Sequence, residues 1–265
     1  LIFAEGLLAG QTAIVTGGGT GIGRGIALEL ARAGSNVVLA GRRREPLEQV
    51  AAEVAALGRE ALVQPTDVRE AEQVNALAAA ADERFGRIDV LVNNAGGQFG
   101  SPFEEISAKG WRAVLDVNLN GVFNCIQAAS GPMIRQRRGK VVTIIAGFTR
   151  RAAPYLAHSG AARAGVENLT RSLALEWAGH NIQLNCISPV VLTEAMARNM
   201  GGREGADAEL LNSIPARRYA SEQEVGWLVT YLASPAGDYI TGEHIAMDGG
   251  YWMAVGLRHG GRANA

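Results

Sequence analysis

Thr16-Gly17-Gly18-Gly19-Thr20-Gly21-Ile22-Gly23 is the stretch on which the fold turns. It follows a short apolar run, Ala13 to Thr16, and its spacing predicts a helix beginning near Arg24. Between a buried strand and a helix, glycines let the backbone come close to a pyrophosphate. The first helical turn then offers unpaired N–H donors and the positive end of its dipole. A glycine cluster elsewhere would be a tight turn; strand before and helix after make it a phosphate cradle.

Outward from this motif, further short runs rich in Val and Ile recur: Val37 to Ala40, Ala61 to Pro65, Asp89 to Asn93, Val141 to Ile145, Ile182 to Ile187 and Ile245 to Asp248. Continuous apolar runs of this length read as strands buried on both faces. Between them, apolar residues fall three and four apart, as at Leu47, Val50, Ala51 and Val54, with Gly58 where a helix C-cap is expected. Alternating strands and helices imply a parallel sheet joined by helical crossovers. The expected fold is α/β: one doubly wound domain over residues 1–265, with helices on both faces of the sheet. The least regular stretch, 190–218, is expected to be an insertion that covers a ligand.

With 48% hydrophobic and 19% charged residues in 265, the chain can build a sizeable core, which excludes a disordered class. Lys and Arg total 25 against 26 Asp and Glu, so no basic excess points to nucleic acid. Cys125 and Cys186 are too few and too far apart for a disulfide framework or a zinc ribbon. His158, His180 and His244 lack metal-ligand spacing and read as satisfied or exposed side chains, so no metal is expected. No run reaches the about 18 apolar residues of a membrane span, and Leu1 to Gly10 lacks a signal peptide's basic region and cleavage site. A cytoplasmic protein without membrane contact is expected, its numbering starting inside the encoded chain.

The second strand ends Ala40-Gly41-Arg42-Arg43-Arg44, about where a dinucleotide fold that takes NAD carries an acidic residue. That acid is missing. A guanidinium pairs with phosphate, so Arg42, with Arg24 or Arg43, points to NADP(H) and its 2′-phosphate. Asp67-Val68 is placed to contact adenine, and Asn93-Asn94-Ala95-Gly96 to line the cofactor. The candidate cofactor residues so far are Gly17, Thr20, Gly21, Ile22, Gly23, Arg42, Asp67, Val68, Asn94, Ala95 and Gly96.

The glycine motif, Asn93 to Gly96, Asn118 and Asp248-Gly249-Gly250 together resemble the short-chain dehydrogenase/reductase family over nearly the full chain. The resemblance implies a Rossmann-type sheet of about seven strands, a nicotinamide cofactor, a homotetramer or homodimer, and a catalytic group of Ser, Tyr, Lys and Asn. Registering Val166 to Leu173 puts Ser159 at the family's Tyr and Arg163 at its Lys. Counting back to the fifth strand puts Ala146 at its Ser, and only Asn118 is kept. Tyr155, four residues before Ser159, imitates a Tyr-x-x-x-Lys motif, but the downstream register favours Ser159 and Arg163. Pro189-Val190 stands where the family has Pro-Gly, with Thr193 beyond it placed to reach the cofactor's carboxamide or phosphates.

Carbonyl reduction needs a proton for an alkoxide, which suits a Tyr phenol of pKa about 10 beside a Lys. Ser is a far poorer acid, and Arg stays protonated. Reducing a double bond conjugated to a thioester demands less, because charge collects on the thioester oxygen, where one fixed donor stabilises it. Ser159 is the expected donor, Arg163 supplies field and a contact to the ribose diol, and water or Tyr155 supplies the proton. Residues 93–99, 107–111 and 158–166 are similar to the peroxisomal trans-2-enoyl-CoA reductases. The related 2,4-dienoyl-CoA reductases take their Tyr from a site falling here at or near Phe148, which has no hydroxyl. The expectation is an NADPH-dependent reductase of enoyl thioesters, with hydride going to the β carbon and Asn118, Ser159, Arg163 and Tyr155 at its centre. A carbonyl or alcohol oxidoreductase using Tyr155, and a non-catalytic dinucleotide-binding protein, remain open. Gln98 and Phe99 are placed at the cleft mouth, where Phe99 lines an acyl chain or packs as an ordinary loop residue. Arg135, Arg137, Arg138 and Lys140 read as a solvated helix end or as a contact for the adenosine-diphosphate group of coenzyme A.

Overall fold

A computed structural model describes residues 2–149, 152–199 and 206–254. In chain order the elements are β1 (Thr12–Thr16), α1 (Gly21–Arg32), β2 (Asn36–Gly41), α2 (Arg44–Ala56), β3 (Ala61–Pro65), α3 (Ala71–Phe85), β4 (Val90–Asn93), α4 (Ala108–Leu115), α5 (Gly121–Gln136), β5 (Gly139–Ile144), α6 (Ala157–Trp177), β6 (Ile182–Pro189), α7 (Glu194–Asn199), α8 (Ala206–Ser213), α9 (Glu222–Ala233) and β7 (His244–Met247). All seven strands pair in parallel in the order β3-β2-β1-β4-β5-β6-β7. This is the expected doubly wound, Rossmann-type sheet.

Side chains alternate across each strand, so both faces are apolar and both need cover. Val15, Val37, Leu39, Val92 and Ile187 pack with Ile26 and Leu30 of α1, Val50 of α2 and Val225 and Val229 of α9. Ile14, Val38, Leu91, Val141 and Leu184 pack on the other face with Leu77 of α3, Ile126 of α5 and Val166 of α6. The double cover explains why the strands read as unbroken apolar runs rather than alternating ones.

Strand ends shift by one or two residues from those expected, and the first helix differs more. It begins at Gly21 rather than near Arg24, because the Arg24 N–H already donates to the Thr20 carbonyl at 3.2 Å, which closes the first turn. Gly58 closes α2 with φ +72°, the left-handed conformation expected of its C-cap. The 190–218 stretch carries α7 and α8, and its residues 200–205 lie outside the described set. Among the described residues, no helix is long and apolar enough to cross a membrane.

The chain starts at the centre of the sheet, runs outward to β3, then returns beside β1 as β4. Loops leaving β1 and β4 therefore part in opposite directions. The crevice between them, at the carboxyl ends of the strands, is where such sheets bind ligands.

Candidate active site

The glycine loop occupies one wall of that crevice. Gly17 has φ +65°, and a side chain there would strike Asn94 Nδ2 at 2.8 Å. A Cβ on Gly23 would lie 2.1 Å from the Gly17 carbonyl oxygen, so only glycine lets α1 start this close to the loop. Thr20 occupies the N-cap position of α1 without a side-chain cap bond, and the first turn carries no acidic residue. The leading N–H groups, with Gly21, Ile22 and Gly23 among them, remain available to an anion. A dinucleotide pyrophosphate fits this cradle.

Thr16 ties the loop to its neighbour. Its hydroxyl donates to the Val92 carbonyl at 3.2 Å and accepts from the N–H of Asn94 and of Ala95, each at 3.0 Å. Asn94 Nδ2 donates to the Thr16 and Gly17 carbonyls at 3.0 and 3.3 Å. Asn94 therefore braces the cradle, its donors spent on the protein.

At the ends of β2 and β3, Arg42 is exposed and close enough to Asp67 to help lower its pKa. The main cause of that lowering is Arg69, whose guanidinium grips the Asp67 carboxylate at 2.5 Å. The Asp67 N–H donates to Gln73 at 2.9 Å, so Asp67 is engaged on both sides. Val68 is buried and its carbonyl accepts from Asn124 at 2.9 Å. Of the three arginines considered for phosphate, Arg24 is paired with Glu53 at 2.8 and 2.5 Å, and Arg43 occupies the N-cap position of α2. Thr193 lies beside the cradle, its methyl 3.6 Å from where a Gly21 side chain would begin. Pro189 closes β6 next to it.

Across the crevice, Asn118 is buried in a π-helical turn, Asp116–Asn120, between α4 and α5. The wider turn aims its side chain at the β4 loop: Nδ2 donates to the Gly97 carbonyl at 2.6 Å and the Val114 carbonyl at 2.8 Å, and Oδ1 accepts from Gly97 N–H at 3.3 Å. Ser159 and Arg163 share one face of α6, as their spacing requires, with Arg163 Nε donating to Ser159 Oγ at 3.4 Å. Arg163 also donates to the Ile144 carbonyl at 3.2 Å, and one guanidinium nitrogen lies 3.5 Å from the Cβ position of Gly96. It forms no ion pair among the described residues, and burial pushes its pKa down to about 10. At neutral pH it is still a cation, half-buried and without a counter-charge among the described residues.

Ser159 is not a free donor. It is fully buried, and its hydroxyl donates to Gln98 Oε1 at 2.7 Å. The Gln98 amide NH2 makes no hydrogen bond among the described residues and is the donor left over. Nothing in the sequence pairs Gln98 with a residue sixty-one positions away; the only signal was its place after the fourth strand. Tyr155 lies outside α6 with φ +67° and 64% exposure; its carbonyl accepts from Ser101 N–H at 3.0 Å. Ala146 and Phe148, at and after the end of β5, bring no hydroxyl.

One open pair of readings is narrowed and one expectation is corrected. The Arg135, Arg137, Arg138 and Lys140 cluster sits at the start of β5, the end of the sheet away from the crevice. There Arg135 pairs with Asp82 at 3.1 Å and buried Lys140 with Asp238 at 2.6 Å, which favours the helix-end reading over a coenzyme A contact. His158 is neither satisfied nor exposed: it is 0% accessible, and neither ring nitrogen has a partner among the described residues. His244 does behave as expected, bonded to Ser188 at 2.8 Å and Glu167 at 3.2 Å in a closed brace between α6, β6 and β7. Among the described residues, no His, Cys, Asp and Glu cluster could hold a metal.

The family described as "Enoyl-(Acyl carrier protein) reductase" matches residues 17–252. A "Probable 2,4-dienoyl-CoA reductase [(2E)-enoyl-CoA-producing]" of Bacillus subtilis is 36% identical over 92% of this chain and 97% of its own. A 2-dehydro-3-deoxy-D-gluconate 5-dehydrogenase of Escherichia coli is 37% identical over 96% of this chain and 100% of its own. The solved structure of a gluconate 5-dehydrogenase from Burkholderia cenocepacia, in complex with NADP and tartrate, superposes with a TM-score of 0.89 at 33% identity, over 95% of this chain and 99% of that one. Fold, cradle and relatives agree: the chain is an oxidoreductase and belongs to the short-chain dehydrogenase/reductase family, which uses NAD(P)H.

Proposed function

We propose that this protein is an NADPH-dependent reductase of enoyl thioesters, acting at the carbon–carbon double bond. The observation that carries this reading is the Ser159–Gln98 hydrogen bond at the place where carbonyl reducers of the family keep a Tyr. A neutral amide is too weak an acid to protonate an alkoxide, but a fixed amide N–H stabilises an enolate oxygen well. The nicotinamide cofactor, when bound, would supply a hydride for the β carbon of the substrate. The π electrons move onto the thioester oxygen, and the Gln98 NH2, held in place by Ser159, donates to it. Asn118 fixes the Gly97 backbone next to Gln98. Arg163 offers its unpaired charge to the ribose diol and to the developing enolate, and solvent protonates the α carbon. Gly17, Thr20, Gly21, Ile22 and Gly23 hold the pyrophosphate, and Arg42 the 2′-phosphate. Asp67, Val68, Ala95 and Gly96 line the adenine and ribose sides, while Pro189 and Thr193 line the nicotinamide side.

The dehydrogenase relatives favour a second reading, carbonyl reduction with Tyr155 as the acid. Tyr155 is 64% exposed and lies before α6 begins, away from the Ser159 and Arg163 face of that helix. NADPH oxidation on adding crotonyl-CoA, compared with a panel of ketones and aldehydes, tests the two. Turnover of crotonyl-CoA alone is expected; turnover of ketones alone overturns the enoyl reading. Assembly as a homotetramer or homodimer in the cytoplasm completes the proposal, and light scattering on the eluted protein checks the oligomer.

A further inference from the structure

His158 is the second residue of α6, next to Ser159, and packs edge-on against Phe99, the residue after Gln98, with ring centroids 4.4 Å apart and planes at 71°. Two adjacent residues of α6 thus meet two adjacent residues of the β4 loop, one pair by hydrogen bond and one by ring contact. The imidazole is completely covered, yet both nitrogens lack partners among the described residues. Buried polar groups are bonded in the great majority of cases, and an orphan weakens the fold, so a native orphan calls for an explanation. Its cover, in contrast, is thin. Phe99 is 39% exposed and lies in Gly96-Gly97-Gln98-Phe99-Gly100, where glycines on both sides leave the backbone free to turn. Burial also holds the imidazole below its ordinary 6.5, hence neutral at neutral pH, with one N–H donor.

We propose that His158 is a substrate-binding residue: its imidazole N–H donates to a carbonyl oxygen of the bound substrate, and Phe99 is the cover that turns aside to admit it. Taking that carbonyl to belong to an acyl thioester rests on the reading above; the donor role does not. The unpaired imidazole is then a site prepared for its ligand, and the free protein carries the cost.

Three variants test this: His158→Phe keeps the ring packing and removes both nitrogens, while His158→Asn and His158→Gln put an amide near the Nδ1 and Nε2 positions. His158→Phe is expected to raise KM for crotonyl-CoA about threefold to tenfold, the worth of one neutral hydrogen bond, with NADPH affinity unchanged and Tm not lowered. One of the two amide variants restores most of the wild-type KM. An unchanged KM in His158→Phe, or a raised KM that neither amide restores, overturns the proposal even if the phenylalanine variant is destabilised. Should the wild type fail to oxidise NADPH with crotonyl-CoA, the enoyl reading falls, and the same criterion is applied to whichever ketone or aldehyde it reduces. If it reduces none, the Kd of butyryl-CoA for the NADP-bound protein replaces KM, and absence of a His158→Phe effect or of binding overturns the proposal.

Discussion

Ser159 donates its hydroxyl hydrogen to Gln98 Oε1 across 2.7 Å, so the amide NH2 of Gln98 is oriented by a residue of α6. Gln98→Ala is expected to lower kcat on crotonyl-CoA on the order of 10²-fold, as loss of one oxyanion donor does. Ser159→Ala leaves the amide present but unanchored and costs about threefold to tenfold. Steady-state kinetics on both variants ranks them; the opposite order would make Ser159 itself the donor.

Arg163 is half-buried and has no counter-charge among the described residues, which suits a ligand that brings hydroxyls and negative charge. Arg163→Ala is expected to raise the Kd for NADPH about tenfold and to slow turnover as well. Arg163→Lys keeps the charge but loses the planar fork and recovers only part of the affinity. Fluorescence titration of NADPH checks this, and an unchanged Kd in Arg163→Ala removes the residue from the site.

Arg42 is exposed beside the engaged Asp67, while Arg24 is already paired with Glu53. Arg42→Ala should therefore weaken NADPH binding about tenfold to somewhat over a hundredfold and leave NADH untouched. Parallel titrations with both cofactors measure the difference. Equal wild-type affinity for the two would place the 2′-phosphate elsewhere.

Gly23→Ala puts a Cβ 2.1 Å from the Gly17 carbonyl, a backbone atom with nowhere to go. NADPH binding is expected to vanish within solubility limits, and Tm to fall. A variant that still binds NADPH normally would show that the cradle tolerates a wider α1 entry than its geometry allows.

The capping box of α9 sets an acid limit. Arg218, and then the Ser221 N–H, hold Glu224 down from 4.5 to about 2, so the folded protein binds fewer protons than the unfolded chain across that interval. The stabilisation is complete above pH 4.5 and fades as pH falls toward about 2. Glu224→Gln should flatten Tm against pH in that window and leave the shape at neutral pH unchanged. Thermal melts across the range test it; parallel curves would mean that Glu224 gains nothing from its partners.

The sheet, its strand count and the place of the phosphate cradle were legible in the chain because they follow from local pattern. Apolar runs buried on both faces, glycines after a strand and three-to-four spacing each act within a few residues. Helical spacing likewise carried the pairing of Ser159 with Arg163. The start of α1 differs from the expected one because Gly21 and Gly23 look like loop residues, although Gly21 is required by its φ of +54° and Gly23 by its tight packing against Gly17 at the mouth of the helix.

What only the tertiary structure decided are the contacts between segments far apart in sequence. Gln98 became the available donor because folding spends the Ser159 hydrogen on it, and Asn94 became a brace because its amide meets the Thr16 and Gly17 carbonyls. His158, expected to be satisfied or exposed, is instead an orphan among the described residues, because the fold buries it where no protein partner reaches its nitrogens. The sequence by itself determined which backbone this protein builds and which cofactor class it cradles, since those rest on periodicity and glycine. Which donors remain free for substrate was decided in three dimensions, because a hydrogen bond is a property of two atoms within about 3 Å, and no local pattern records that.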